Sequence, residues 1–165
     1  MITGLTSATP SNLLLDAGAF FKNFTVGTDT PETATAKLLG ATDGGGTFSV
    51  VPTVRQISVD GGKQNVKELQ TVDFWTATMT ANLKEHTLEN LKLAIGAAKE
   101  TSMTAQKYTK VEAKEDFEAT DYIANIVWVG KIKGKSKPVI IELKNALSIN
   151  GLNLTFADKN EAVIP

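Results

Sequence analysis

The clearest pattern of hydrophobic and polar positions lies in residues 72–85. From residue 75 to residue 83 apolar side chains occupy the odd positions, and hydroxyl or amide side chains occupy the even ones, with Phe74 as a large apolar side chain on the polar side. The apolar set is Trp75, Ala77, Met79, Ala81 and Leu83, and the polar set is Thr76, Thr78, Thr80 and Asn82. This period of two predicts a β-strand longer than usual. Short neighbouring strands could not pair with all the backbone N–H and C=O groups of so long a strand. The remaining groups need a hydrogen-bond partner, either in a long hairpin of a monomer or in another chain.

A second strand and a tight turn precede this stretch. Residues 54–59, VRQISV, have strand character, and Asp60-Gly61-Gly62 follows them. Because glycine adopts positive φ without penalty, this tripeptide predicts a hairpin turn, with residues 63–69 as the returning segment. Residues 44–85 are therefore predicted to form two or three successive strands.

The other apolar runs also have the length and composition of strands. They cover residues 12–24, 121–133, 138–149 and 153–157, and a turn at 134–137 joins two of them. Such a succession predicts a mainly β protein, here a two-sheet antiparallel β-sandwich. The 165 residues suit a single domain, 1–165, and residues 1–11 are small and polar and predict a flexible arm.

Three stretches depart from the strand pattern. Residues 87–98 predict one flanking helix, with Thr87 as N-cap and Gly96 as a weak point. Its predicted apolar stripe is Leu88, Leu91, Ile95 and Ala98. Residues 25–46 have no period and predict a long loop, which we expect to be poorly ordered until it meets a partner. Residues 101–118 are polar with weak alternation and predict no defined element.

Some apolar side chains occupy positions that are difficult to bury within a single chain. Phe20 and Phe21 are adjacent and would face opposite sides of a strand. That strand is either a central core strand or has one face against a neighbouring subunit. Leu38 and Leu39 are too apolar for a purely solvated loop. The hypothesis of inter-subunit contact therefore covers Phe20, Phe21, Leu38, Leu39 and Phe48.

Composition narrows the class of protein. Lys and Arg number 17 against 18 Asp and Glu, with one arginine, so the chain lacks the basic excess of a nucleic-acid binder. Lys131, Lys133, Lys135 and Lys137 cluster in a turn, for which we favour a solvated, aggregation-resistant role. No apolar run approaches the roughly 20 residues of a membrane helix, and the opening residues do not have the pattern of a signal peptide. The absence of cysteine excludes disulfides and thiolate metal sites.

The sequence contains no recognisable catalytic or metal-binding constellation. His86 is the only histidine and has no paired nucleophile, so a strand-end or capping role is favoured. Gly61-Gly62-Lys63 does not continue into the Ser or Thr of a phosphate-binding loop. Asp29, Glu32 and Asp43 do not have the spacing of a calcium loop. We therefore expect no enzymatic activity, no cofactor and no metal.

Four stretches resemble the tail tube (major tail) proteins of tailed bacteriophages, which are related to the tube proteins of contractile injection and type VI secretion systems. They are residues 12–24, 40–67, 73–85 and 137–165. The resemblance covers most of residues 12–165 and carries no catalytic signature. Similar chains commonly continue with another strand beyond the point where this one ends. The resemblance therefore implies a shortened or unusual member, with one sheet edge left open.

The resemblance implies a structural subunit that forms stacked hexameric rings. The inner sheets of the six subunits would join into a β-barrel around a lumen, which holds tape-measure protein and passes viral DNA. A sheath protein is a further candidate partner, no membrane is involved, and assembly in the host cytoplasm would place the protein in the virion tail. Thr76, Thr78, Thr80 and Asn82 would face the lumen, and Trp75, Met79 and Leu83 the sandwich core. The alternative is a non-catalytic carbohydrate-binding or adhesin-like β-sandwich.

Overall fold

The computed structural model describes residues 4–14, 18–62, 67–156, 158 and 162–165. In this part of the chain the protein is mainly β, with three antiparallel sheets and one α-helix. The strands are β1 (Ala19–Lys22), β2 (Thr42–Gln56), β3 (Gln70–Leu83), β4 (Ala98–Met103), β5 (Tyr108–Ala113), β6 (Ile123–Lys131) and β7 (Pro138–Ala146), and the helix is α1 (Leu88–Ile95). The predicted mainly β class is confirmed, although the strands divide among three sheets where two were expected.

The chain separates into two compact units. Residues 47–80, hereafter the hairpin unit, contain most of β2 and β3. Residues 1–46 and 81–165, hereafter the packed unit, contain the other elements. The predicted turn at Asp60-Gly61-Gly62 lies in the hairpin unit, where the Gly62 amide donates to the Val59 carbonyl at 3.0 Å. The predicted returning segment, 63–69, lies largely outside the described residues.

The packed unit is built around a three-stranded sheet in the order β1-β6-β7. Phe21 of β1 lies opposite Val127 of β6, and the Phe21 and Phe24 rings are 5.2 Å apart between centroids. The core cluster consists of Phe21, Phe24, Ala34, Val127 and Val129. Phe20 is also buried, so both sides of β1 are covered within one chain. The structure therefore supports a central core strand here.

A side-chain amide joins the middle of this sheet to the segment that follows β1. Asn125 donates through Nδ2 to the Phe24 carbonyl and accepts through Oδ1 from the Phe24 amide, both at 2.8 Å. The same Nδ2 lies 2.7 Å from Oε1 of Glu142 on β7. A half-buried polar residue is thus satisfied on both its donor and acceptor sides, as the interior of a protein requires.

The predicted loop 25–46 is shorter and better packed than expected. β2 begins at Thr42, and a 3-10 turn covers Thr35–Lys37. Ala34 and Leu39 are buried, and the Leu39 amide donates to the Phe20 carbonyl at 2.9 Å. Part of the loop therefore packs within its own chain, and the expectation that a partner orders the loop stays a prediction.

The helix is confirmed at its start but ends earlier than predicted. The Thr87 hydroxyl accepts from the Asn90 amide at 3.1 Å, which is the predicted N-cap. Gly96 ends α1 with a φ of +82°, and a Cβ there would lie 2.3 Å from the Ser148 carbonyl oxygen. Asn90 is buried and donates to the carbonyls of Leu39, at 2.7 Å, and Glu85, at 2.9 Å. The buried face of α1 therefore includes the amide side chain of Asn90, which is not part of the predicted apolar stripe.

The remaining elements include one confirmed hairpin and one that the sequence did not predict. β6 and β7 pair antiparallel across the predicted turn, with Lys131 opposite Pro138. β4 and β5 form a second hairpin, mostly within the polar region 101–118, for which the sequence predicts no defined element. Residues 153–156 form no strand, and residue 157 lies outside the described residues. Ile164, by contrast, is buried and exchanges two backbone hydrogen bonds with Leu83, at 2.8 and 2.9 Å.

Candidate assembly surface

The hairpin unit has no hydrophobic core of its own. Every buried hydrophobic side chain in the described residues belongs to the packed unit. β2 and β3 form a two-stranded sheet, and within the described residues neither strand has a further strand beside it along 47–80. Because an isolated two-stranded hairpin is marginally stable in water, this unit needs an additional surface to bury its side chains.

The apolar side chains of the hairpin unit are large and exposed. Phe74 is 58% exposed and Trp75 is 61% exposed, and as neighbours in β3 they point to opposite faces of the sheet. The exposed set is Phe48, Val50, Val51, Val54, Ile57, Val59, Val72, Phe74 and Trp75. A sheet that is apolar on both faces and open on both edges has the properties of an interaction surface.

Polar contacts connect the two strands of the hairpin at its surface. The Thr47 and Thr80 hydroxyl oxygens are 2.6 Å apart, and Arg55 Nε donates to Asp73 Oδ1 at 3.1 Å. Both contacts are exposed to solvent, so they contribute little to the stability of the hairpin.

The predicted lumen residues lie at or beside this surface. Thr76, Thr78 and Thr80 are exposed in the hairpin unit, and Asn82 is half-buried in the packed unit. On the opposite face of β3, the exposure of the side chains changes along the strand. Leu83 is buried and Met79 half-buried, but Trp75 is exposed. The prediction that Trp75 faces a core of its own chain is therefore wrong.

The hypothesised inter-subunit contacts divide into two groups. Phe20, Phe21 and Leu39 are buried within the packed unit, so they are not a free surface for another subunit. Leu38 and Phe48 are exposed and remain available. The sequence analysis missed most of the exposed hairpin, because valines at alternating and adjacent positions of β2 are as typical of a core strand as of an interface. The signal that could have identified it is the lack of any second partner strand for so long a hairpin.

The charged side chains of the packed unit are arranged in ion pairs of ordinary type. Lys114 Nζ lies 2.7 Å from Asp121 Oδ1 and 2.8 Å from Glu118 Oε2. The bond from Lys114 lowers the pKa of the Asp121 carboxyl, and the carboxylates of Asp121 and Glu118 raise the pKa of the Lys114 amine. These shifts accompany a capping arrangement around the turn at Ala119–Asp121 and do not require a ligand.

The candidate chemical residues are spread over the packed unit. His86 is exposed and lines an open cavity of about 820 Å³ together with Lys84, Leu91 and Phe156. Asp29 bonds Lys37, which lowers the pKa of the Asp29 carboxyl, and Asp43 pairs with Lys84 at 3.0 Å. The described residues contain no group of three or more His, Asp or Glu side chains arranged to hold a metal ion.

No helix in the described part of the chain combines the length and apolar composition needed to cross a membrane. Comparison of the chain with protein families, with curated proteins and with solved structures finds no match.

Proposed function

We propose that this protein is the structural subunit of a phage or phage-derived tail tube, which self-assembles into stacked hexameric rings. One observation carries the proposal: the hairpin unit exposes Phe74 and Trp75 on opposite faces, and no strand in the described residues pairs with either of its outer edges. Copies of the same chain would complete this sheet edge to edge and cover its apolar side chains. The resemblance of the sequence to tail tube proteins supplies the architecture in which such a sheet closes.

Closing the sheets of several copies into a barrel would remove every open edge at once. A closed ring with rotational symmetry also gives each copy the same two neighbours, so one surface serves all of them. In this arrangement Thr76, Thr78, Thr80 and Asn82 would line the lumen, with Phe74 on the same face of β3. The apolar side chains of the opposite face, such as Trp75, would lie between subunits and against neighbouring elements. Leu38 and Phe48 remain proposed inter-subunit contacts, since both are exposed in the single chain.

The charge of the hairpin unit is compatible with a conduit for DNA. Residues 47–80 carry three basic side chains (Arg55, Lys63, Lys67) and three acidic ones (Asp60, Glu68, Asp73), so their formal charge is zero. A neutral lining neither retains nor strongly repels a polyanion. The proposed partners are therefore other copies of the chain, tape-measure protein and passing viral DNA without sequence readout. A sheath protein is a candidate on the outside, and the proposed location is the virion tail, after assembly in the bacterial cytoplasm.

The proposal assigns no catalytic role, cofactor or metal to the protein. The alternative of a carbohydrate-binding or adhesin-like module would use exposed aromatic rings as a shared platform. Phe74 and Trp75 lie on opposite faces of β3, so these two rings cannot form one platform. We therefore favour assembly over ligand binding as the role of the hairpin unit.

Negative-stain microscopy and sedimentation velocity at rising protein concentration test this function. We expect the wild-type chain to form rings or tubes with a central hole. The variant F74S/W75S should remain monomeric, with the unfolding free energy of the dilute subunit almost unchanged, because both side chains are already exposed in one chain. A control variant, Y108S/I149S, changes exposed side chains of the packed unit and should assemble as the wild type does.

Two results would contradict the proposal. The wild type could remain as monodisperse particles at every concentration, which would favour the binding-module alternative. F74S/W75S could instead assemble normally, which would remove the hairpin unit from the contact between copies.

A further inference from the structure

Four lysines cluster at the turn between β6 and β7 in the packed unit. Lys131, Lys133, Lys135 and Lys137 are all exposed, around a hairpin turn made by Gly134 with a φ of +79°. In the described residues none of the four has a carboxylate within ion-pair distance. Seven other lysines do have one: Lys22, Lys37, Lys84, Lys92, Lys110, Lys114 and Lys144. This lysine turn is therefore an uncompensated positive surface, because its four unpaired lysines lie within one stretch of seven residues.

An uncompensated negative surface lies on the segment that leads into β6. Glu115 and Asp116 are exposed and form no ion pair in the described residues. Glu118 and Asp121 follow, and both share the single amine of Lys114. Residues 114–121, hereafter the acidic segment, therefore contain four carboxylates and one amine, for a formal charge of −3.

Strand β6 separates the two surfaces. The acidic segment ends just before Ile123, which lies opposite Ala146, and the lysine turn begins at Lys131, which lies opposite Pro138. A strand of this length spans roughly 26 Å at about 3.3 Å per residue. The three-stranded sheet thus has a positive surface at one end and a negative surface at the other, well beyond the screening length of roughly 8 Å at physiological ionic strength.

Neighbouring charges do not cancel this polarity. At the positive end, Glu32 lines a cavity with Lys131 and Ser136, but a single carboxylate is outnumbered by four lysines. Asp29 lines the same cavity and is already bound by Lys37. On β7, Lys144 is the exposed cation nearest to the negative end, and it contacts Glu142 at 3.7 Å.

We infer that the partner for these surfaces is a second copy of this chain, joined end to end, with the lysine turn of one copy against the acidic segment of the next. This inference rests on the proposed function, because an end-to-end contact requires that copies of the chain assemble. A contact between two different surfaces is heterologous, so it can be repeated indefinitely along one direction. Like ends repel each other, and this repulsion would align all copies with the same polarity. In a tube, the contact would join one ring to the next.

A charge-swap cycle tests the contact in the full-length chain. In one variant the basic end is reversed (K133E/K135E), in a second the acidic end is reversed (E115K/D116K), and a third carries all four substitutions. Each double variant should raise the concentration required for tube formation on the order of tenfold or more at low salt, because like charges then meet at the junction. The quadruple variant should assemble close to the wild-type concentration, because opposite charges meet again.

A matched control changes the same number of lysines elsewhere. Lys99 and Lys107 are exposed on the β4–β5 hairpin and form no ion pair in the described residues. The variant K99E/K107E has the same net charge as K133E/K135E and should assemble with little change. Raising the salt concentration should weaken wild-type stacking and reduce the difference between the double variants and the wild type.

The outcomes separate this inference from the proposed function. Assembly of both double variants at the wild-type concentration would overturn the end-to-end contact and leave the tube proposal intact. A quadruple variant that folds, as judged by circular dichroism, but does not regain assembly would also overturn it. So would a K133E/K135E variant whose only change is weaker binding to a DNA oligonucleotide. If the wild type never assembles, the proposed function fails first, and this inference fails with it.

Discussion

β6 of the packed unit and β3 of the hairpin unit are both apolar strands, yet their surroundings are opposite. β6 lies between β1 and β7, and its Val127 is 0% exposed. β3 has one partner strand, and its Trp75 is 61% exposed. The difference comes from the loop and the neighbouring strands that cover β6, which include the buried Ala34. Alternation predicts which side chains share a face, but cover from the rest of the chain decides whether that face becomes a core.

Polar groups differ between the two units in the same way. In the packed unit, the amides of Asn90 and Asn125 form buried or half-buried bonds to backbone groups, which specify how the segments meet. In the hairpin unit, Arg55 and Asp73 form an exposed ion pair of a kind that contributes little stability. Buried contacts within the chain thus specify how the segments of the packed unit meet. The hairpin unit has only exposed side-chain contacts of this kind among its described residues.

The largest effect is expected from a pair of phenylalanine substitutions that compares the units directly. Phe21→Ala removes a fully buried ring and should lower the unfolding free energy of the dilute subunit by about 3–5 kcal/mol. Phe74→Ala removes an exposed ring and should change it by no more than about 0.5 kcal/mol. Denaturant titration of monomeric protein measures both values. Equal losses would mean that the hairpin unit is packed to the same extent as the sheet.

An intermediate effect is expected from glycine substitutions in the two units. Gly96→Ala places a methyl group at a φ of +82° and 2.3 Å from the Ser148 carbonyl oxygen, and should cost on the order of 3 kcal/mol. Gly61→Ala, at a φ of +81° with no atom within 4 Å, should cost only about 1–2 kcal/mol. The same denaturant titration provides the comparison, and a larger loss for Gly61→Ala would contradict it.

The smallest effect is expected from the ion pair between Lys114 and Asp121. Because Lys114 lowers the pKa of the Asp121 carboxyl below its ordinary value of 3.8, the pair stabilises the folded state above that pH. Its contribution is lost as the pH falls through the lowered pKa. Asp121→Asn should therefore reduce Tm at pH 7, and the difference from the wild type should shrink as the pH falls towards 2.

Glu115→Gln is the control for this pH dependence, since Glu115 is exposed and forms no ion pair in the described residues. Its Tm should follow the wild-type values at every pH. A Tm difference for Asp121→Asn that stays constant from pH 7 to 2 would show that the substitution acts through packing or hydrogen bonding instead of charge.

Local sequence signals predicted some elements well and others poorly. The β6–β7 hairpin and the Thr87 N-cap were predictable because alternation, turn residues and a capping hydroxyl act over a few positions. The β4–β5 hairpin was not, because its strands are mostly polar and exposed and leave only weak alternation. The early end of α1 follows from the positive φ of Gly96, and glycine is a local stop signal that the sequence does contain.

The sequence by itself determined the mainly β class, a long alternating strand near residues 72–85 and the clustering of lysines at 131–137, because these follow from the periodicity and composition of neighbouring residues. Only the tertiary structure decided that Phe20 and Phe21 are both buried while Trp75 is not. The physical reason is that burial depends on which distant segments cover or flank a strand, and strand periodicity is the same whether or not such a segment is present.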